Sequence, residues 1–312
     1  MTRPRIVCLV GPTASGKSAL ALDVAERLGG EIVSADSRQL YRGLDIGTAK
    51  PTADERARVP HHCLDLVDAG AAFDAARFRE AASAAIAQVS ARGRPVLVVG
   101  GTGLYLRVLL RGLCPAPPRA PALRAVLIDR MVARGLPAMH RALAAIDPEA
   151  ARRIGARDGV RVVRALEVGL ATGTPLSVWQ ARHGFAEAPY DALVVGLARP
   201  TPELDRRIAA RAEAMMAAGF LDEVRALRAR GVRDDAPALL AVGYREMLAC
   251  LEGRMDESAA LAATVRATRQ FAKRQRTWFR REPGIRWRHP ESERELVMGE
   301  IEAFVAQGAG NE

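Results

Sequence analysis

Gly11-Pro12-Thr13-Ala14-Ser15-Gly16-Lys17-Ser18 is the stretch of this 312-residue chain whose residue types and spacing most directly suggest chemistry. Glycines at both ends of the loop let backbone N–H groups converge on phosphate oxygens, and a helix beginning there adds its partial positive end. Lys17 would reach over the loop as a compact charge, and Ser18 would offer a hydroxyl to Mg²⁺. Only Lys17, Lys50 and Lys273 are lysines among 46 basic residues, so a lysine here points to a need for an ammonium rather than arginine's planar fork. Asp36, closing the run EIVSAD, is a candidate general base, or else a turn residue. A P-loop ATPase carries a Mg²⁺-holding Asp at the end of an apolar strand, whereas the run PVLVVGG ends here in Gly100-Gly101-Thr102. That departure argues against a motor or switch.

The elements that must position these residues are legible as periodicities. Residues 5–10, 31–36 and 95–101 are short apolar or β-rich runs, and 18–29 and 78–93 carry helical spacing. Unalternating strands separated by helices predict an α/β fold with a P-loop-type parallel sheet flanked by helices. Four prolines between 114 and 123 interrupt the pattern, helices alone come next, and 191–200 reads as a strand again. The expected organisation is a core of residues 1–115 and 190–312 with a helical insertion domain at 116–189.

No run of about 18 apolar residues exists, so no membrane span is expected and the protein is placed in the cytoplasm. The four cysteines are scattered without a C-x-x-C pair, which speaks against a disulfide framework or zinc site. His61-His62-Cys63 has no second ligand pair at useful spacing. The net charge of +10 favours a polyanionic partner. Arg266, Arg269, Lys273, Arg276 and Arg280 fall three or four apart, on one helix face, while Phe271, Gln275, Trp278 and Phe279 lie on another side. Such a stripe suits an RNA backbone; the alternative is a solvated charged face.

Around these features run SADSRQLYRGLDIGTAKP (34–51), PHHCLD (60–65), GGTGLY (100–105), RVVRALEV (161–168), AVGYREM (241–247) and TRQFAKRQRTWFR (268–280). Together with GPTASGKS they closely resemble the tRNA dimethylallyltransferases, in order and over nearly the whole chain. The resemblance implies a prenyltransferase that moves the dimethylallyl group of dimethylallyl diphosphate onto the exocyclic N6 amine of the adenosine at tRNA position 37, beside the anticodon. It implies that the loop from Gly11 to Ser18 holds the diphosphate with Mg²⁺, that Asp36 acts as base, and that Thr102 bonds near the scissile oxygen. Arg211 matches a diphosphate-clamping arginine, with Arg207 the alternative.

The resemblance also implies contacts to the tRNA anticodon stem-loop. These fall at Asp36, Ser37, Arg38, Gln39 and Thr102, and at Arg124. Val160, Arg161, Val162, Val163 and Arg164 form a further set, as do Leu240, Ala241, Val242, Gly243, Tyr244 and Arg245. The basic stripe would grip the RNA backbone. A monomer is expected. The competing readings are an adenylate isopentenyltransferase acting on a free nucleotide, a small-molecule P-loop kinase, and an RNA-binding P-loop ATPase.

Overall fold

Arg5–Val10 forms the first strand, β1, and every residue after Arg5 is buried, as a strand covered on both faces requires. The computed structural model describes residues 3–309. After β1 come α1 (Lys17–Leu28), β2 (Glu31–Ser34), α2 (Ala53–Arg58), β3 (His61–His62), α3 (Ala75–Ala91), β4 (Val96–Gly100) and α4 (Gly103–Arg111). A stretch of helices is next: α5 (Pro121–Ile146), α6 (Pro148–Arg153), α7 (Gly159–Thr172) and α8 (Leu176–His183). The chain continues through β5 (Asp191–Leu197), α9 (Thr201–Ala217), α10 (Phe220–Ala229), α11 (Tyr244–Leu251), α12 (Glu257–Phe279), β6 (Arg286–Arg288) and α13 (Arg294–Ala309).

The six strands make one sheet in the order β3-β2-β4-β1-β5-β6, and the pairs are parallel. The fold is thus the parallel α/β sheet flanked by helices that the periodicities predict. Val7 and Leu9 of β1, with Leu97, Val99, Val195 and Leu197, pack under Leu20, Val24, Val297 and Ile301, so α1 and α13 cover one face. α3 lies against β2 and β4, and its Phe78 stacks on Tyr105 of α4 at 4.1 Å between centroids. Among the described residues no helix is long and apolar enough to cross a membrane.

Three elements differ from the expectations of the sequence. β2 stops at Ser34 rather than Asp36, because the Asp36 carboxylate accepts the Arg38 N–H at 2.8 Å and turns the chain. The two outer strands, β3 and β6, were not legible, since HH and RWR carry no apolar run. The chain divides into two units, residues 1–110 with 189–312, and residues 111–188.

The second unit is helical and has its own core, in which Leu127, Met139 and Leu143 of α5 pack with Val162, Val163 and Leu166 of α7. α5 turns at Gly135, whose φ of 77° precedes Pro137. Glu167 holds this unit at one point: it is 1% exposed and receives the Ala120 N–H at 2.9 Å, Arg124 at 3.1 Å and Arg164 at 3.0 Å. Burial alone would raise its pKa, but Arg164 and the Ala120 N–H hold it below the usual carboxylate range.

That shift fixes the sign of a pH effect. A depressed folded pKa contributes stability that is complete above the unfolded value of about 4.5 and is lost as pH falls through the lower folded value. Glu167→Gln is expected to cost roughly 2–3 kcal/mol at pH 7, because it leaves two guanidinium groups short of a partner that water only partly replaces. Urea unfolding between pH 3 and 7 checks both statements. The wild-type midpoint should fall more steeply than the variant's below pH 4.5, and parallel curves would sink the assignment.

Candidate active site

The sheet's register brings the chemistry-bearing residues together. Val10 pairs with Gly100 and Ser34 with Val99, so the chain leaves β1, β2 and β4 at the same edge. Beyond these strand ends lie, in turn, the loop from Gly11, the turn at Asp36, and Gly101-Thr102. Ligands of open parallel sheets sit at such carboxyl ends, where neighbouring connections diverge. Backbones crowd here: Gly11 has φ 144°, and a Cβ on it would meet the Leu197 carbonyl at 2.6 Å.

The phosphate loop is held from behind by cations on its carbonyls. Lys17 Nζ donates to the Pro12 carbonyl at 2.6 Å, Arg207 Nε to that of Ala14 at 3.0 Å, and Arg199 Nε to that of Ser15 at 3.1 Å. The loop's own amides are partly engaged. The Ser15 N–H donates to Pro12 O at 3.3 Å, and the Thr13 N–H donates to Gln275 Oε1 at 2.8 Å. There remains the start of α1, where Gly16 supplies no capping side chain and the first turn carries no acid. The Lys17 and Ser18 amides there have no intrahelical acceptor and suit an anion. Burial and the neighbouring Arg211 push the Lys17 ammonium down to about 7, with Asp36 opposing.

Arg211, on α9, reaches Thr13 Oγ1 at 3.4 Å, and burial lowers its pKa while Asp36 works the other way. The two candidate arginines are thereby separated: Arg211 lines a cavity, whereas Arg207 braces the loop's backbone. The cavity has a volume of about 300 Å³. Thr13, Asp36, Arg38 and Arg211 give it a polar end, and Ile208, Ala212, Met215, Phe220, Val242 and Phe271 give it apolar walls. Thr102 Oγ1 accepts the Ser37 N–H at 3.0 Å, tying the turn after β4 to the residue beside Asp36.

The other sequence-derived positions fall into distinct roles. Arg38 donates to the Pro237 carbonyl at 2.9 Å, while Gln39 ties Ser34 to the Ala49 carbonyl, at 2.9 and 3.1 Å. Leu240 and Arg245 are exposed, but Ala241 and Tyr244 are buried, and the Tyr244 hydroxyl donates to Glu223 at 2.7 Å. Arg266, Arg269 and Lys273 on α12, and Arg280 just past its end, are exposed. Arg269 has Asp205 at 3.6 Å, and Arg276 donates to Thr201 Oγ1 at 2.7 Å. In the helical unit Val160 and Arg161 are exposed, whereas Val162 and Val163 are core residues. Arg124 and Arg164 are the partners of Glu167 already described.

Sequence reasoning missed several residues that shape this site. Gln275 was legible only as part of a docking face. Arg199 is 7% exposed and joins the Ser15 carbonyl to Glu203 and Glu291, and its sole signal was a basic residue near the end of the apolar run at 191–200. Glu223 accepts the N–H groups of Asp45, Ile46 and Gly47 at 2.8, 2.6 and 3.2 Å, which shapes the loop that gives Gly47 and Thr48 to the cavity wall. Lys50 is a buried ammonium held by Asp45, Asp65 and the Tyr41 carbonyl, at 2.6, 2.6 and 2.8 Å. His62 Nε2 pairs with Glu31 at 2.7 Å and His61 Nδ1 with the Val59 carbonyl at 2.7 Å, so both rings have structural partners.

Fold and site together define a P-loop-type α/β protein that sets an anion cradle and a carboxylate beside a cavity of mixed polar and apolar lining. The chain belongs to the IPP transferase family, which it matches over residues 39–282. A tRNA dimethylallyltransferase of Anaeromyxobacter dehalogenans is 54% identical over 297 residues, spanning 95% of this chain and 97% of that protein. The crystal structure of the tRNA isopentenylpyrophosphate transferase of Bacillus halodurans is 34% identical, covers 99% of each chain and superposes with a TM-score of 0.72. A eukaryotic dimethylallyltransferase acting on tRNA shares the fold, at 23% identity and a TM-score of 0.81 over 97% of this chain and 80% of that one.

Proposed function

We propose that this protein is a tRNA dimethylallyltransferase. It transfers the dimethylallyl group of dimethylallyl diphosphate to the exocyclic N6 amine of the adenosine at position 37, in the anticodon stem-loop of tRNA, and releases diphosphate. The observation that carries this reading is the cavity itself, with Asp36 and Arg211 at one end and apolar walls of a size for a prenyl group and a flipped base. Membership of the family and the relatives named tRNA dimethylallyltransferase support it over an enzyme acting on free nucleotide.

The N6 lone pair is delocalised into the ring, so attack gains from removal of a proton. In this reading the N6–C1 bond forms as the bond from C1 to the bridging oxygen breaks, diphosphate leaves with that electron pair, and Asp36 takes the N6 proton. Lys17, Arg211 and the first amides of α1 meet the charge that grows on the leaving group. Thr102 adjoins the base through Ser37. Ser18, in the first turn of α1, would offer its hydroxyl to a magnesium ion, which would neutralise charge on the leaving group. RNA is met by the exposed cations of α12 and by Arg161 and Arg245, with the protein acting as a monomer in the cytoplasm.

The test uses purified protein, Mg²⁺, labelled dimethylallyl diphosphate and three acceptor conditions: an anticodon stem-loop with adenosine after the anticodon, AMP, or no acceptor. Prenylated adenosine in the RNA alone is expected. Product from AMP would transfer the reading to a nucleotide prenyltransferase, and no product would remove the donor assignment.

A further inference from the structure

Gln275 is buried on α12, with Ala272 and Phe279 on the same face. Both ends of its amide are committed to backbone. Oε1 accepts the Thr13 N–H at 2.8 Å, and Nε2 donates to the Gly101 carbonyl at 3.0 Å. A flipped amide would set donor against donor and acceptor against acceptor, so its orientation is determined by these two partners. Thr13 belongs to the phosphate loop after β1. Gly101 precedes Thr102, whose hydroxyl accepts the N–H of Ser37, the residue next to Asp36. One amide therefore joins the donor cradle to the turn that adjoins the base.

The joint is tight. A Cβ on Gly101 would lie 2.3 Å from Gln275 Nε2, and a Cβ on Gly103 would lie 2.1 Å from the Trp278 ring, one turn further along α12. Arg107 covers that ring at 4.4 Å, so the helix is braced where the amide projects.

The geometry points to Gln275 as a positioning residue for prenyl transfer: its amide sets the separation of the phosphate loop and the Gly101-Thr102 turn, and with it the line of attack of the amine on the donor carbon. This inference rests on the site reading proposed above. Gln275 itself touches neither substrate, so its loss should be felt in the rate of the bound complex and little in binding. A misplacement of about 1 Å costs on the order of 100-fold in rate.

The test is single-turnover prenyl transfer to the anticodon stem-loop at saturating donor, with rates expressed per active site, beside donor and RNA affinities measured by calorimetry. Gln275→Met keeps the side-chain length and removes both hydrogen bonds. Gly101→Ala drives the amide off from the other side, and serves if the first variant does not fold. Each is expected to lower the rate by roughly 30- to 100-fold while both dissociation constants stay within about threefold. Wild-type-like rates per active site, or a loss confined to donor affinity, would overturn the inference and leave the site reading standing. No transfer by the wild-type protein would bring down both.

Discussion

Replacing Asp36 by asparagine is expected to lower prenyl transfer by about 10³-fold while leaving donor and RNA affinity within a few-fold of wild type. The separation of the two effects stems from what the carboxylate does structurally. One oxygen accepts the Arg38 N–H at 2.8 Å, and an asparagine carbonyl can accept the same bond, so the turn after β2 should survive. What asparagine cannot do is take a proton from the attacking amine. The variant also loses a negative charge that faces Lys17 and Arg211, which should help rather than hinder binding of a diphosphate. Single-turnover transfer and calorimetric donor titration on the same preparation decide the matter. Near-wild-type turnover would remove Asp36 from the chemical step, and lost donor affinity would make it a binding residue.

Lys17→Arg is the second large expectation, because it sets charge against shape. Burial and Arg211 lower the Lys17 pKa to about 7, which works against its charge before the donor arrives. An arginine would carry its charge at every accessible pH. If charge alone mattered, the variant should bind diphosphate at least as well as wild type. Geometry argues the opposite. The ammonium sits 2.6 Å from the Pro12 carbonyl and 3.4 Å from the hydroxyl of Ser15, a residue with no exposed surface, and a broad planar guanidinium does not reproduce that compact point contact. A loss of about 10²- to 10³-fold in transfer is expected, comparable to removing a donor from an oxyanion-stabilising set, with Lys17→Ala no worse than Lys17→Arg. An arginine variant within threefold of wild type would sink this account of why a lysine stands there.

The helical unit tempers a purely electrostatic view of RNA binding. Arg124 and Arg164 sit on one buried carboxylate, so removing either should be read first as a stability change and only then as an RNA contact. The exposed Arg266, Lys273 and Arg280 are cleaner targets, since their loss should weaken RNA affinity and flatten its salt dependence without disturbing a core. Arg161 and Arg269 are intermediate, because Asp158 stands 3.3 Å from the one and Asp205 3.6 Å from the other.

How much of this was legible before folding depends on the range of the interactions concerned. The loop from Gly11 to Ser18, the helix that succeeds it and the buried strands are local: a glycine's backbone freedom, a 3.6-residue period and an unbroken apolar run act within a few positions. The parallel sheet and the helical interruption come from the order of those elements. Asp36 and Lys17 were legible as residue types next to elements whose ends meet in any parallel sheet of this kind. Tertiary structure decided the rest. Gln275 meets Thr13 across 262 positions and Arg199 meets Ser15 across 184, and no local pattern encodes a partner at that distance. The same holds for Glu223 beneath the 45–47 loop and for Glu167 between two arginines: a carboxylate's identity permits many partners, and only packing selects one. The amino-acid sequence alone thus determined which groups could do phosphate and proton chemistry, because those are properties of side chains and of short backbone segments. Which of them share a cavity, which arginines already sit on carboxylates, and what joins the phosphate loop to the turn beside Asp36 were decided by the fold, because each depends on contacts between residues far apart in the chain.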